Sequence, residues 1–475
     1  MRVVGRMSAK LNIPLIVLLA AGLAACARYH PRPISLEERA MAFDSRTLTS
    51  PQLQEFAAQF GYGAERQWPP REWSRDDLLL VALFYHPSLD RARAQWRLGH
   101  AGLKTAAGLP NPTVVLSPGY DFSAVAPASP WIPGLSIDMP IETAGKRRIR
   151  KAEAAFLAEA DRLSIASAAA IIRSNLQAAL IEFHSAEERV KLLNEEQQTQ
   201  ASISTLLEQR REAGAISASE AAPFRIALLR VQSEKSRAES VRIESRDHLA
   251  EALGLPRSAI EGITLASLPE SGKEASELLS NASSHRKRAL QGRSDLIAAL
   301  ARYEASQLAL QLEIAKQYPD IRLGSGYQWD QGEDKWNLSI GVDLPVFNQN
   351  QGPIAEAEAK RAQLAAELLE LQSQIISQVD RGISLCNSLL GEAAQARQTL
   401  DALNKELQFT KARFEAGGAD QVEVLSIGLE AISARIALLD AEMRLRSAEA
   451  ELEAAFEIPF SPQFAGASVV ERNKE

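Results

Sequence analysis

The chain has 475 residues, a formal charge of −7, and side chains that are 46% apolar but only 6% aromatic. That balance excludes the basic footprint of a nucleic-acid binder. Two cysteines make no disulfide framework, and 26 Gly with 22 Pro are too few for a disordered or collagen-like chain.

Arg2, Arg6 and Lys10 precede an apolar run from Leu11 to Leu23, interrupted by Asn12, Pro14 and Gly22, and Cys26 follows small residues. This is the pattern of a bacterial secretory signal, with an apolar run short for a transmembrane helix. Leu23-Ala24-Ala25-Cys26 resembles the lipobox of bacterial lipoproteins. The resemblance implies a signal peptide over 1–25, acylation of Cys26, and sorting to the outer membrane with Ala27 next. An ordinary signal with an incidental cysteine is the alternative. One acyl chain binds a membrane only marginally, so a second membrane contact is expected.

Beyond the N-terminal segment 26–73, the chain is one unit written twice. Pro112, Gly119 and Tyr120 match Pro319, Gly326 and Tyr327; Asp138 and Pro140 match Asp343 and Pro345; Glu212-Ala213-Gly214 matches Glu415-Ala416-Gly417; Pro256 matches Pro459. The offset stays near 205 residues throughout, far longer than a solenoid repeat. Repeat 1 is expected over 74–256 and repeat 2 over 293–459, with an inter-repeat linker at 257–292 and a tail at 460–475.

Each copy reads as helix, two strands, very long helix, tight turn and return helix. In repeat 1, Ser74 with Asp77 predicts the cap of a helix running to about Gly108. Strands are expected over about 112–141, a long helix over about 146–213 and a return helix over about 219–253. In repeat 2 the first helix is expected from about Ser294 to Gln317, the strands over about 320–346, the long helix over about 353–416 and the return helix over about 420–455. Trp336, Leu338, Ile340, Val342 and Leu344 alternate with polar residues at period two, and Asp330 to Lys335 reads as a polar hairpin loop. From Lys146 to Ala213 there is no Gly or Pro, which at 1.5 Å per residue predicts a helix of roughly 100 Å. Leu364, Leu368, Leu371, Ile375 and Val379 form one stripe, and Leu425, Leu429, Ile432, Ile436, Leu439 and Met443 keep coiled-coil spacing.

Four strands cannot close a membrane barrel, which starts at about eight. An open sheet edge cannot face lipid, because unpaired backbone groups there cost several kcal/mol each. Either several chains share one barrel, or the strands are a small soluble sheet capping a helical bundle. Trp329 and Trp336 near one hairpin end fit an interfacial aromatic of a membrane strand.

Here the sequence resembles the TolC-type outer-membrane efflux proteins, from about Trp73 to Pro459. The repeated hairpins and long helices carry the likeness. So do His86-Pro87-Ser88-Leu89, the run Asp138 to Arg148 (Asp-Met-Pro-Ile-Glu-Thr-Ala-Gly-Lys-Arg-Arg) and Arg413-Phe414-Glu415-Ala416-Gly417. The resemblance implies a mainly α fold with a small β part, a homotrimer with a shared 12-stranded β-barrel, and a long periplasmic α-helical barrel. It implies a periplasmic membrane-fusion adaptor and an inner-membrane pump, of RND type first, as partners, with outer-membrane lipid around the barrel. Gly145-Lys146-Arg147 resembles the heavy-metal-efflux branch, which implies cation export; organic solutes and secreted polypeptides remain the alternatives.

Glycines at the turns, Gly214 and Gly417-Gly418, break the long helices, and the resemblance makes these turns the periplasmic tip that gates the duct and meets the adaptor. Arg210, Arg211 and Arg413 flank them, with plain surface charge as the alternative reading. Glu220 and Glu423 are related by the repeat, and each suits a helix N-terminus as a dipole partner. The resemblance places Glu423 in a carboxylate ring at the constriction, a cation-attracting device, with Glu220 as a further member. Ser426 and Ala419 depart from the family's pattern at a second carboxylate and a gate arginine. Cys386, on the apolar stripe, reads as a small buried hydrophobe. His86 has Arg293 as its repeat counterpart and reads as helix-border packing rather than a metal ligand. No nucleotide loop, metal quartet or catalytic constellation is present. No enzyme, cofactor or nucleic-acid partner is expected. The competing class is a lipoprotein coiled-coil spacer without a pore.

Overall fold

The structure, a computed structural model, describes residues 29–62, 67–124, 127–268 and 272–457. The chain divides into two units, Met1–Arg46 and Thr47–Glu475. In the first, helix α1 (Leu36–Asp44) is capped by Ser35, whose hydroxyl accepts from the Glu38 N–H at 3.2 Å, and it buries no residue. The signal peptide expected over 1–25, Cys26 and the tail 460–475 lie outside the described residues.

In the second unit, α2 (Pro51–Ala58) precedes α3 (Arg75–Tyr85). The expected capping box forms: the Ser74 hydroxyl accepts from the Asp77 N–H, and the Asp77 carboxylate accepts from the Ser74 N–H at 2.8 Å. The helix does not continue to Gly108 as the pattern suggested. Proline disfavours a helical conformation in the residue before it. His86 is extended at ψ 123°, so α3 stops at Tyr85 and α4 (Pro87–Ala107) starts with Pro87 in its first turn. His86 accepts at Nδ1 from the Ser88 N–H at 3.3 Å, which makes it a helix cap.

Four short strands follow: β1 (Thr113–Leu116), β2 (Gly119–Tyr120), β3 (Trp131–Ile132) and β4 (Gly134–Ile141). Helix α5 (Lys146–Glu212) has 67 residues, and α6 (Ala218–Leu253) returns along it. A 3₁₀ turn (Arg257–Ile260), α7 (Lys273–Ser280) and α8 (Ala282–Gly292) lead to α9 (Ser294–Ala315). Then come β5 (Ile321–Asp330), β6 (Glu333–Val342), α10 (Gln351–Glu415) and α11 (Gln421–Phe456). Helix α5 packs on α4, α6, α9 and α11. Its ties to α11 include the Arg173–Glu453, Arg189–Asp440 and Glu195–Arg435 ion pairs. None of the described helices is long and apolar enough to cross a membrane.

Two apolar cores sit at corresponding places in the two halves. One gathers α2, α3, α5 and α6 around Leu78, Leu80, Leu83, Ile172, Leu176 and Leu253; the other gathers α7, α8, α10 and α11 around Val379, Cys386, Leu445, Leu452 and Phe456. Cys386 is fully buried, and burial pushes its thiol up to about 11, as expected of an inert small hydrophobe. The α10 stripe is half-buried at Leu364, Leu368 and Leu371 and buried at Ile375 and Val379.

The main sheet is antiparallel in the order β1-β4-β5-β6. The turn from β5 to β6 is tighter than the six-residue loop expected. Only Gln331 and Gly332 separate the strands, with φ of +51° and +101°. A two-residue hairpin turn with positive φ at both positions matches the twist of the strands it joins.

Candidate functional site

Side chains alternate across a strand, and directly paired residues share a face. The register therefore assigns the faces of the four-stranded sheet. One carries Val114 and Leu116; Leu135, Ile137, Met139 and Ile141; Ile321, Leu323, Ser325, Tyr327 and Trp329; and Asp334, Trp336, Leu338, Ile340 and Val342. The other carries Thr113 and Val115; Ser136, Asp138 and Pro140; Arg322, Gly324, Gly326 and Gln328; and Lys335, Asn337, Ser339 and Gly341. The Ser339 and Asn337 side chains occupy the space that a Cβ on Gly324 and Gly326 would need. The apolar face stands open, with Leu338 72% and Ile340 68% exposed. Tyr327 and Trp336, with ring centroids 5.0 Å apart, mark its hairpin end. The outer edges of β1 and β6 have no partner strand among the described residues.

The segment leaving this sheet is fastened to the helices. Thr143 donates from its hydroxyl to the Pro319 carbonyl at 2.6 Å and from its N–H to Asp320 at 3.0 Å. The buried Lys146 ammonium donates to the Tyr318 carbonyl at 2.6 Å and to Asp320 at 2.7 Å. Arg147 donates twice to the Ala107 carbonyl, at 2.7 and 2.9 Å. Arg150 reaches the Ala106 and Gly108 carbonyls, each at 3.1 Å, and pairs with Glu142 at 2.7 Å. The last carbonyls of a helix have no partner within it. Lys146, Arg147 and Arg150 satisfy those at the ends of α4 and of the α9 segment. The Gly145-Lys146-Arg147 element is thus a clamp between sheet and helices, and its geometry speaks of the scaffold rather than of cargo.

At the opposite ends of the long helices the two turns repeat one geometry. The Ala215 N–H donates to the Arg210 carbonyl at 2.8 Å and the Gly214 N–H to Arg211 at 3.0 Å. Likewise the Gly418 N–H donates to Arg413 at 2.8 Å and the Gly417 N–H to Phe414 at 2.9 Å. These are paired Schellman closures, which need a left-handed residue; Gly214 and Gly417 supply φ of +75° and +76°.

The tip side chains divide by partner. Arg210 makes a two-pronged pair with Asp420 at 2.6 and 2.7 Å, joining the first turn's helix to the second turn's return helix. Arg413 holds Glu423 at 2.9 Å and the Gly418 carbonyl at 3.0 Å. Arg211 pairs within its own helix with Glu208 at 2.6 Å. Glu220 accepts from the Ser217 N–H at 2.7 Å and hydroxyl at 2.8 Å, completing a capping box, and these bonds lower its carboxyl below the usual range. Asp420 caps α11, and the Arg210 guanidinium holds its carboxyl down at about 2. Among the described residues no group of His, Cys, Asp and Glu is arranged to hold a metal.

The model of the outer membrane efflux protein family matches residues 78–255 and 286–456, well over half of the chain. The chain belongs to this family. Outer-membrane efflux proteins are transport proteins without catalysis, and the chain is accordingly an outer-membrane efflux channel protein, most of it periplasmic, and no enzyme. Channels of this kind work with a membrane-fusion protein and an inner-membrane pump. The cobalt-zinc-cadmium resistance protein CzcC of Cupriavidus metallidurans is 26% identical over 312 residues, which cover 64% of this chain and 72% of that protein. The solved outer membrane protein VceC of Vibrio cholerae superposes with a TM-score of 0.66 at 18% identity, over 82% of this chain and 97% of that one. CusC, whose structures concern folding and transmembrane channel formation, gives 0.63 at 16% identity, over 90% and 99%. The TolC-like fold, mainly α with a small β part, is shared with both.

Of the residues singled out at the efflux protein's tip, Arg210, Arg413, Gly418 and Glu423 enter contacts there, while Arg211 and Glu220 bond within their own helix or cap. Asp420 escaped the sequence reading. An acidic residue directly before an apolar-periodic stretch is a cap signal, but no spacing rule joins it to Arg210 in the other repeat.

Proposed function

We infer that the chain forms a homotrimeric duct in which each copy gives four strands to a 12-stranded barrel, with Cys26 acylated as a further anchor. The observation that carries this reading is the sheet: one face is mainly apolar and exposed, interrupted by Ser325 and, at the hairpin end, by Asp334, the other is mainly polar and glycine-rich, and two edges are open. Open edges are untenable in lipid, and joining β6 of one copy to β1 of the next removes them all when the ring closes. The number three rests on the family. The helix turns at Gly214 and Gly417 form the periplasmic gate and, with Arg211, the adaptor-facing end. The Arg210–Asp420 and Arg413–Glu423 pairs hold the gate, and Glu423 supplies its carboxylate ring. Glu220 supports its helix start and stands outside that ring.

Heavy-metal cations are the favoured cargo, delivered by an adaptor and an RND-type pump. The similarity to a cobalt-zinc-cadmium resistance protein supports this choice. Two measurements test the whole reading. The purified chain should run as a heat-modifiable trimer and conduct in planar bilayers, and a non-conducting, soluble chain would make it a spacer. A deletion strain should become sensitive to divalent metals; sensitivity to dyes and antibiotics alone would move the cargo to organic solutes.

A further inference from the structure

Helix α5 opens with Lys146, Arg147, Arg148, Arg150 and Lys151, and no acid stands in its first turn. Cations near a helix N-terminus oppose the helix dipole. Three of the five are explained, because Lys146, Arg147 and Arg150 serve the carbonyl clamp. Arg148 and Lys151 are exposed, and neither forms an ion pair among the described residues. Lys104, also exposed and in the last turn of α4, is held near the same level by the Arg147–Ala107 bond.

The second repeat is an internal control. Asn350 precedes α10 in the same left-handed conformation as Gly145 before α5. Counting from these residues, Arg148 corresponds to Pro353 and Lys151 to Glu356. The same junction therefore forms without those two cations, and the fold does not require them.

Their position identifies what does. Strand β4 ends at Ile141, on the apolar face, only a few residues before α5 begins. Side chains on a helix lean toward its N-terminus. The Arg148 guanidinium follows that rule and folds back over Gly145, 3.9 Å from where a Cβ would stand. Leu109 and Leu344, 69% and 74% exposed, flank the same junction. An apolar sheet that continues into exposed apolar residues and then into unpaired cations has the profile of a bilayer boundary.

We propose that Lys104, Arg148 and Lys151 form a docking surface for anionic phospholipid headgroups in the periplasmic leaflet of the outer membrane. The proposal rests on the barrel reading above. The surface fixes the depth and the asymmetric seating of each copy through repeat 1 alone, since repeat 2 offers Glu356 at the matching place.

The full chain is reconstituted into phosphatidylethanolamine vesicles with about one third phosphatidylglycerol, re-extracted, and its co-purifying lipid counted. Wild type should be enriched in phosphatidylglycerol. R148A/K151A should reduce that preference by about tenfold or more, at roughly a factor of five per surface cation. R148K/K151R should keep it, and high salt should weaken it. Equal enrichment in R148A/K151A overturns the proposal. So does an altered anion conductance with lipid preference intact, which would place these cations inside the duct. A chain that inserts and conducts but shows no lipid preference sinks the proposal alone; a chain that neither inserts nor conducts sinks the barrel reading with it.

Discussion

Asp420 shows how one carboxylate sets the pH range of the proposed gate. Its side chain is about half exposed, yet two bonds from Arg210 and the Val422 N–H bring it from the ordinary 3.8 to about 2. A carboxyl depressed in the folded state contributes its full stabilisation above the ordinary value and loses it as pH falls through the depressed one. The clasp is therefore intact from about pH 8 to pH 5 and weakens only between about 4 and 2. Single-channel conductance of wild type should stay flat over the upper range, as far as this pair controls it. D420N, which removes the charge at every pH, should raise conductance or opening frequency at neutral pH. A conductance in D420N equal to wild type would remove the pair from the gate.

At the scale of helices, the two repeats solve one ending in two ways. Gly254 closes α6 at φ +69°, and a Cβ there would meet the Tyr85 carbonyl oxygen at 3.0 Å and the His86 Cα at 3.1 Å. Glu457 closes α11 at φ +46°, and its carboxylate accepts from the Ser294 N–H at 2.8 Å and hydroxyl at 2.5 Å, capping α9. G254A adds left-handed strain of about 1–2 kcal/mol and presses on backbone that has no rotamer to yield. It should lower the thermal unfolding midpoint measurably, while G214A, with φ strain but open space around it, should lower it less. Equal shifts would show that the packing at Tyr85 is slack. Features of this kind were legible in part. The capping box at Ser74, the period-two strands of repeat 2 and the tip glycines are local patterns, and they stood in the sequence. The His86 break needed the effect of Pro87 on its neighbour to outweigh a continuous apolar pattern. Repeat 1's strands were harder to read, because Pro118 and Pro133 interrupt the alternation and split the hairpin into four short pieces. The Arg210–Asp420 pair joins positions brought together only when α5 packs on α11, so no local pattern announces it.

For the whole molecule, the proposed barrel puts membrane attachment on the sheet, whose mainly apolar face is exposed. Its two faces then make opposite demands on one substitution. Leu338 stands midway along β6 on the apolar face, 72% exposed, paired with Ser325. L338R puts a guanidinium on the lipid face near mid-bilayer, at a cost of about 2–4 kcal/mol per copy, which falls toward the interfaces. In a closed ring every copy carries the charge, and no copy can turn that residue inward without shifting its register by one and exposing the polar face to lipid. Gln328 lies one strand away on the opposite face, beside Lys335. Q328R meets water in a barrel lumen and should be tolerated. Heat-modifiable trimers and bilayer conductance are the readouts: lost or strongly reduced in L338R, retained in Q328R. Equal tolerance of both would mean that neither face meets lipid, and the sheet would then be a soluble cap. Loss in Q328R alone would reverse the faces, and the apolar rows Leu135–Tyr327–Trp336 and Met139–Leu323–Ile340 would then line the lumen.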